Sequence, residues 1–447
     1  MNDEIKEPIY CALAFGAISI HPKQNYMPCC GIEPAHWIKP VTFNKTPTDL
    51  INSKPLKDLR KELMEGSWPL ACSNCNKSEG AGVDSMRTIW NKSFADHYPN
   101  LTYPKMTDTL DPKDIFYSDF TFSTKCNSKC LTCGPNLSSA WEGEWNTIWK
   151  NKYERLEEKI RPEKERLSFQ VSDMDEIFDL TSNSKFMSFV GGEPTISDEH
   201  LQFLTLLVKS GKSKNINISY VTNLTGITDE LIELWKNFYS VRLTLSVDGY
   251  GNINEYIRYP FKWSKIESNI RKCFDITREK RLGNGTMLDF GTGLSCTISV
   301  FNVNDFPNLL EFWYELIKEY FGELNFEGDG HIFLNRVTFP AYMSPLVLSN
   351  IYRKKGIDKI KILREKIIKE TEIYPYIVKF TKIIDTIDLY ISMMEEPQMY
   401  NKEHVDILKH FIIESDKFRN RSINDYLPEL WKELDLGSRI FGDSKQR

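Results

Sequence analysis

Three cysteines, Cys126, Cys130 and Cys133, fall within eight residues directly after a short alternating apolar segment. The stretch reads Asp119-Phe-Thr-Phe-Ser-Thr-Lys-Cys-Asn-Ser-Lys-Cys-Leu-Thr-Cys133. Phe116, Phe120 and Phe122 among polar neighbours predict a strand that runs into a C-x3-C-x2-C loop. Three thiolates on one tight loop can hold three irons of a 4Fe–4S cluster, because soft sulfur ligands favour such clusters. The fourth iron is then open to bind and polarise a substrate or cofactor. A zinc knuckle is the alternative. Structural zinc takes four ligands, however, and the closest histidine in sequence, His97, lies well upstream.

At 447 residues the chain exceeds one ordinary core, so two or three domains are expected. A net charge of -5, from 57 basic and 62 acidic residues, provides no global basic field for nucleic acid. No apolar run of about 18 residues predicts a membrane span. The opening Met-Asn-Asp-Glu-Ile-Lys-Glu has neither the basic nor the apolar region of a signal peptide. A cytoplasmic location is expected, and there ten cysteines read as metal ligands rather than disulfides.

Beyond the cysteine loop, strand-like segments alternate with helical ones. Phe186-Met-Ser-Phe-Val-Gly-Gly-Glu-Pro194 ends in Gly191, Gly192 and Glu193. Those glycines let a backbone approach a ligand, and the carboxylate can accept hydrogen bonds from an ammonium group. Further strands are expected at Ile216–Asn223, Val241–Gly249, Gly293–Asn302 and His331–Pro340. Six strands alternating with helices imply a parallel α/β fold, and every motif lies at a C-terminal strand end, where barrel enzymes place their active sites. Lys152 to Arg166 reads as a solvated helical face. From residue 345 onward the chain reads as helical, with apolar stripes at Ile360/Leu363/Ile367, at Ile377/Phe380/Ile384/Ile387/Ile391 and at Val405/Leu408/Ile412. These stripes suit packing on the barrel or a small lid.

The first 95 residues carry a second set of cysteines. Cys11 to His21 and Met27-Pro-Cys-Cys30 predict a hairpin, Leu56 to Gly66 a short amphipathic helix, and Cys72-Ser-Asn-Cys75 a turn. The C-x2-C turn plus one cysteine from each hairpin strand makes a closed four-thiolate site for zinc or a second iron–sulfur cluster. In a strand Cys29 and Cys30 would point opposite ways, so one of the two is the expected ligand.

The cysteine loop, the Gly-Gly-Glu strand end and Ser246-Val-Asp248-Gly at the end of a later strand resemble the radical S-adenosylmethionine (SAM) superfamily. The cysteine-rich first unit, with Glu79-Gly-Ala-Gly82 and Ser85-Met-Arg87, resembles the twitch auxiliary-cluster module of SPASM/twitch members, here placed before the barrel. The resemblance implies a partial (β/α)6 barrel over 116–344, after a linker at 96–115 and before a helical region at 345–447. It implies SAM and a catalytic 4Fe–4S cluster on Cys126, Cys130 and Cys133. It also implies an auxiliary 4Fe–4S cluster, or zinc, held from among Cys11, Cys29, Cys30, Cys72 and Cys75. Gly191, Gly192 and Glu193 would hold the methionine amine and Arg258 its carboxylate. Asn223, Ser246 and Asp248 would lie near the ribose or methionine part, and Ser299 and Asn302 on the ribose or adenine side. Thr132 departs from the family pattern, where an aromatic residue is common before the last cysteine. The chemistry implied is cleavage of SAM to a 5′-deoxyadenosyl radical that takes a hydrogen atom from a peptide or protein, or else from a small metabolite, sugar or nucleotide. The electron donor would be flavodoxin- or ferredoxin-like. A non-catalytic zinc-stabilised binding module is the remaining alternative.

Overall fold

The structure, a computed structural model, describes residues 7–21, 25–32, 49, 51–82, 84–97, 104–149, 174–283, 289–321, 330–372 and 383–437. Its strands are β1 (Ala17–His21), β2 (Asn25–Met27), β3 (Tyr117–Phe120), β4 (Lys129–Cys130), β5 (Phe186–Phe189), β6 (Asn217–Thr222), β7 (Ser240–Ser246), β8 (Arg258–Tyr259), β9 (Asp289–Ile298) and β10 (Ile332–Arg336). Eight of them form one sheet in the order β10-β9-β7-β6-β5-β3-β1-β2, while β4 and β8 pair separately. All neighbours in the large sheet are parallel except β1 and β2. The architecture is the expected α/β partial barrel, with helices between the strands and a helical C-terminal region.

Period-two alternation decides which face of the sheet is buried. Phe120, Phe189, Tyr220 and Leu243 lie side by side in register, each at most 1% exposed. Their rings stack, with centroids 5.4 Å apart for Phe120–Phe189 and 5.1 Å for Phe189–Tyr220. The helix Asp198–Lys209 covers this face with Phe203, Leu204 and Leu207. Burial contributes about 1.5–3 kcal/mol for each such side chain. The helix starts where Ser197 accepts a hydrogen bond from the His200 amide, and Asp229–Trp235 starts the same way at Thr228. The opposite, inner face is polar: Ser19, Asp119, Ser188 and Ser219 share one row.

Several expectations meet a different structure. The hairpin forms, but its strand begins only at Ala17, because Ala12-Leu-Ala-Phe-Gly16 makes a one-turn helix that starts just after Cys11. Alanine and leucine favour that turn. β1 also pairs in parallel with β3, so the first unit extends the barrel sheet to seven parallel strands. The part of the linker at 104–115 is packed: Arg60 donates to the carbonyls of Asp108 at 2.9 Å and Ile51 at 2.7 Å, and Leu110 and Ile115 are buried. Residues 98–103 and the charged run 152–166 lie outside the described residues, as do Ile377 and Phe380. The amphipathic helix spans Lys54–Met64, buries Leu56, Leu59 and Leu63, and is followed by Gly66 at φ +70°. The C-terminal helices Asn350–Thr371, Ile383–Glu395 and Lys402–Arg419 bury Ile360, Leu363, Ile367, Ile387, Leu408 and Ile412 in the same core as the barrel strands. Val405 is only partly buried.

Candidate active site

The parallel strands bring the C-terminal ends of β3, β5, β6, β7 and β9 to one edge of the sheet. The cysteine loop follows β3 and folds across the ends of the next two strands. Gly192 (φ +55°) lies so close to it that an added Cβ would meet the carbonyl oxygen of Lys125 at 2.5 Å and that of Ser123 at 2.8 Å. At Gly191 (φ +76°) an added Cβ would meet the Thr121 side chain at 2.2 Å. The backbone that Gly192 admits is therefore the chain's own cysteine loop. The Glu193 amide then donates to Lys125 O at 2.9 Å. Gly192→Ala should destabilise the protein by roughly 2–5 kcal/mol, from left-handed strain plus overpacking against backbone. Anaerobic denaturant unfolding checks this, and a loss under 1 kcal/mol would contradict the packing account.

Glu193 is 1% exposed. Its Oε1 accepts hydrogen bonds from Thr195 N at 3.1 Å, Thr195 Oγ1 at 2.6 Å and Thr222 Oγ1 at 2.7 Å. Its Oε2 accepts from Asn223 N at 2.5 Å. Burial nevertheless pushes this carboxyl above its ordinary value. The side chain thus ties the end of β5 to the end of β6. Asn223 continues the tie, donating Nδ2–H to Asn127 Oδ1 at 3.0 Å and reaching Cys126 Sγ at 3.9 Å.

β4 carries Cys130 opposite Arg258 on β8. Cys130 is 4% exposed, and its sulfur lies 2.9 Å from Ser128 Oγ. A hydrogen bond from the Cys133 thiol, aided by the charge of Arg258, holds the Cys130 thiol below its ordinary value. Cys133 is pushed well above the usual thiol value by the same bond and by burial. Arg258 also bonds Asp248 Oδ2 at 2.6 Å, and Asp248 Oδ1 accepts from the Thr297 amide at 3.0 Å. Asn302 donates to the Asp248 carbonyl at 2.8 Å and accepts from the Ser299 amide at 2.7 Å. Ser299 and Asn302 are 0% exposed, so they brace the strand ends from beneath. Ser246 ends β7 half-buried, in register with Ser295 and, through it, Phe333. Phe333 is 53% exposed and shows that this row faces the open interior.

In the first unit, Cys11, Cys29, Cys72 and Cys75 line one pocket with Trp68, Met86 and Arg87. Cys72 ends a 3-10 turn and Cys75 lies in the helix Ser73–Gly80 rather than in a turn. Cys29 and Cys30 follow β2 outside any strand, yet they do diverge. Cys29 joins the pocket, whereas Cys30 is exposed and lies outside it. Arg87 braces the pocket, donating to Glu79 Oε1 at 2.9 Å and to the Tyr10 carbonyl at 2.7 Å. Among the described residues, no three His, Cys, Asp or Glu side chains converge as they would on a single ion.

Sequence reasoning missed two sets of residues. Asp119, on the inner face, is held by Ser19 Oγ at 2.8 Å and pushed up to about 6 by burial. Its place in a strand gave it no motif. Arg419, Glu144 and Trp141 stand behind the cysteine loop, and only a three-dimensional contact connects Arg419 to it.

The three thiols carried across the strand ends are soft donors, and as a donor set they fit a 4Fe–4S group with one open iron. Residues 120–294 match the model of the Radical SAM superfamily. The domain implies SAM and a 4Fe–4S cluster as cofactors. No curated protein matches the chain. Similar solved structures include Streptococcus suis SuiB bound to precursor peptide SuiA (12% identity, 68% of this chain and 60% of that one, TM-score 0.32). Native anSMEcpe with bound AdoMet is another (18% identity, 57% and 61%, TM-score 0.34). The chain spans about 60% of the length of these two proteins. Among the described residues no helix is long and apolar enough to cross a membrane.

Proposed function

We propose that this radical SAM protein cleaves SAM reductively and uses the resulting radical on a peptide or protein substrate. The observation that carries the reading is that one barrel edge brings the cysteine loop to both Glu193 and Arg258: Asn223 joins Cys126 to Glu193, and the β4–β8 ladder sets Cys130 opposite Arg258. Cys126, Cys130 and Cys133 would hold the 4Fe–4S cluster. Glu193 Oε2, which has one internal donor, accepts from the methionine amine beside Gly191 and Gly192. Arg258, whose guanidinium keeps donors beyond its bond to Asp248, takes the methionine carboxylate. Asn223, Ser246 and Asp248 line the ribose and methionine side, and Ser299 and Asn302 support it from beneath. When bound, the cluster and SAM supply a 5′-deoxyadenosyl radical that takes a hydrogen atom from the substrate. An external flavodoxin- or ferredoxin-like protein supplies the electron.

Among the described residues, neither edge strand, β2 nor β10, pairs with a further strand, and the β2 edge is where an extended chain could add. Val221 and Phe333, 42% and 53% exposed, offer apolar contact on the inner face. These features favour a peptide over a small metabolite. Anaerobic incubation with SAM, a reductant and candidate precursor peptides tests this by mass spectrometry. A mass change in a peptide supports it, and a change confined to a metabolite pool would move the substrate to the second class.

The pocket of Cys11, Cys29, Cys72 and Cys75 is read as the auxiliary site, with an iron–sulfur cluster preferred to zinc and Cys30 outside the ligand set. Cys72→Ala should retain SAM cleavage within about tenfold yet lose product, since ligand loss costs the site its group. Full product formation by Cys72→Ala would make the pocket a structural clip only.

A further inference from the structure

The helix Lys402–Arg419 ends directly behind the cysteine loop. The Arg419 and Glu144 side chains are both fully buried. Arg419 Nε donates to Glu144 Oε1 at 2.6 Å, and a terminal nitrogen donates to the Lys129 carbonyl at 3.0 Å. The guanidinium lies 4.7 Å from the Trp141 ring centre and 4.9 Å from that of Tyr259. Trp141 in turn donates its indole N–H to the Cys130 carbonyl at 3.1 Å. The carbonyls of both β4 residues are thus held by Arg419 and by the ring it stacks on. Across the ladder, Lys129 pairs with Tyr259 and Cys130 with Arg258. Only arginine has the plane to stack between two rings while donating in two directions, and lysine offers a single ammonium.

We propose that Arg419 is a positioning residue for the catalytic cluster. With Trp141 it fixes the place of Cys130 and, through β4–β8, the alignment of Arg258 for SAM. Its buried positive charge, which together with Lys129 Nζ at 3.2 Å offsets Glu144, also holds the cluster's reduction potential up. The inference rests on the radical SAM reading.

The test uses the reconstituted full chain as wild type, Arg419→Lys, Arg419→Gln and Trp141→Phe. The readouts are iron retained against a chelator, the cluster midpoint potential by EPR titration, and SAM dissociation. Arg419→Gln should lose iron affinity about 10–100-fold, as supporting residues of metal ligands do, and its remaining cluster should have a lowered potential. Arg419→Lys, which keeps the charge, should restore the potential but bind SAM about tenfold more weakly. Trp141→Phe, which keeps the ring but not the donor, should also weaken SAM binding at near-wild-type melting temperature. A merely structural role would lower the melting temperature and leave potential and SAM affinity of the folded protein unchanged. If Arg419→Gln does not fold, the other two variants decide. Wild-type potential, iron retention and SAM affinity in both would overturn this inference alone. Wild-type protein that takes up no iron would overturn the radical SAM reading and this inference with it.

Discussion

Cys130→Ala should reduce SAM cleavage to background and lower the iron content of reconstituted protein by about four per chain. Cys130 is the buried member of the loop, locked into the β4–β8 ladder opposite Arg258. The carbonyls at its own and the preceding position are held by Trp141 and Arg419. Its loss would remove one of three irons' anchors at the place where the loop is least able to shift. The backbone ladder does not use the sulfur, so the far-UV circular dichroism should stay near wild type. Retained cleavage of SAM would contradict the assignment of the loop as the cluster site.

Glu193→Ala should be the most destabilising single change at the barrel edge. One buried carboxylate accepts from two amides and two hydroxyls on two strand ends. Removing it leaves the Thr195 and Asn223 amides buried without that acceptor and opens a cavity between β5 and β6. A charged acceptor contributes about 1.5–3 kcal/mol per hydrogen bond, and breaking a buried set costs roughly 3–5 kcal/mol. That is a large part of the 5–15 kcal/mol typical of a domain. Denaturant unfolding of the metal-free protein measures it without any contribution from SAM. An effect under about 1 kcal/mol would show that Glu193 is held for its ligand only.

How legible each feature was depended on how local its physics is. The cysteine loop could be read because ligand type and spacing sit within a few residues, and the strands because alternation has a period of two. The Gly-Gly-Glu strand end was legible as a motif, yet the reason for its glycines was not. The atoms that crowd Gly192 belong to Lys125 and Ser123, far away in sequence. Cys11 was expected in a strand because its segment is apolar throughout, and nothing in that pattern separates a one-turn helix from the start of a strand. The packing of 104–115 depends on Arg60, and the parallel pairing of β1 with β3 joins residues 100 positions apart, as the Ser19–Asp119 bond shows. Arg419 was the hardest to see. Its partner Glu144 is 275 positions away, and its helix reads as ordinary core packing.

The most direct test of the central claim is the amount of iron, zinc and acid-labile sulfide per chain in anaerobically reconstituted protein. About eight irons with matching sulfide and no zinc are expected: one 4Fe–4S cluster at Cys126, Cys130 and Cys133 and one in the Cys11, Cys29, Cys72 and Cys75 pocket. About four irons with one zinc would contradict the auxiliary assignment while keeping the catalytic one. Zinc alone, with no iron taken up, would contradict the account as a whole.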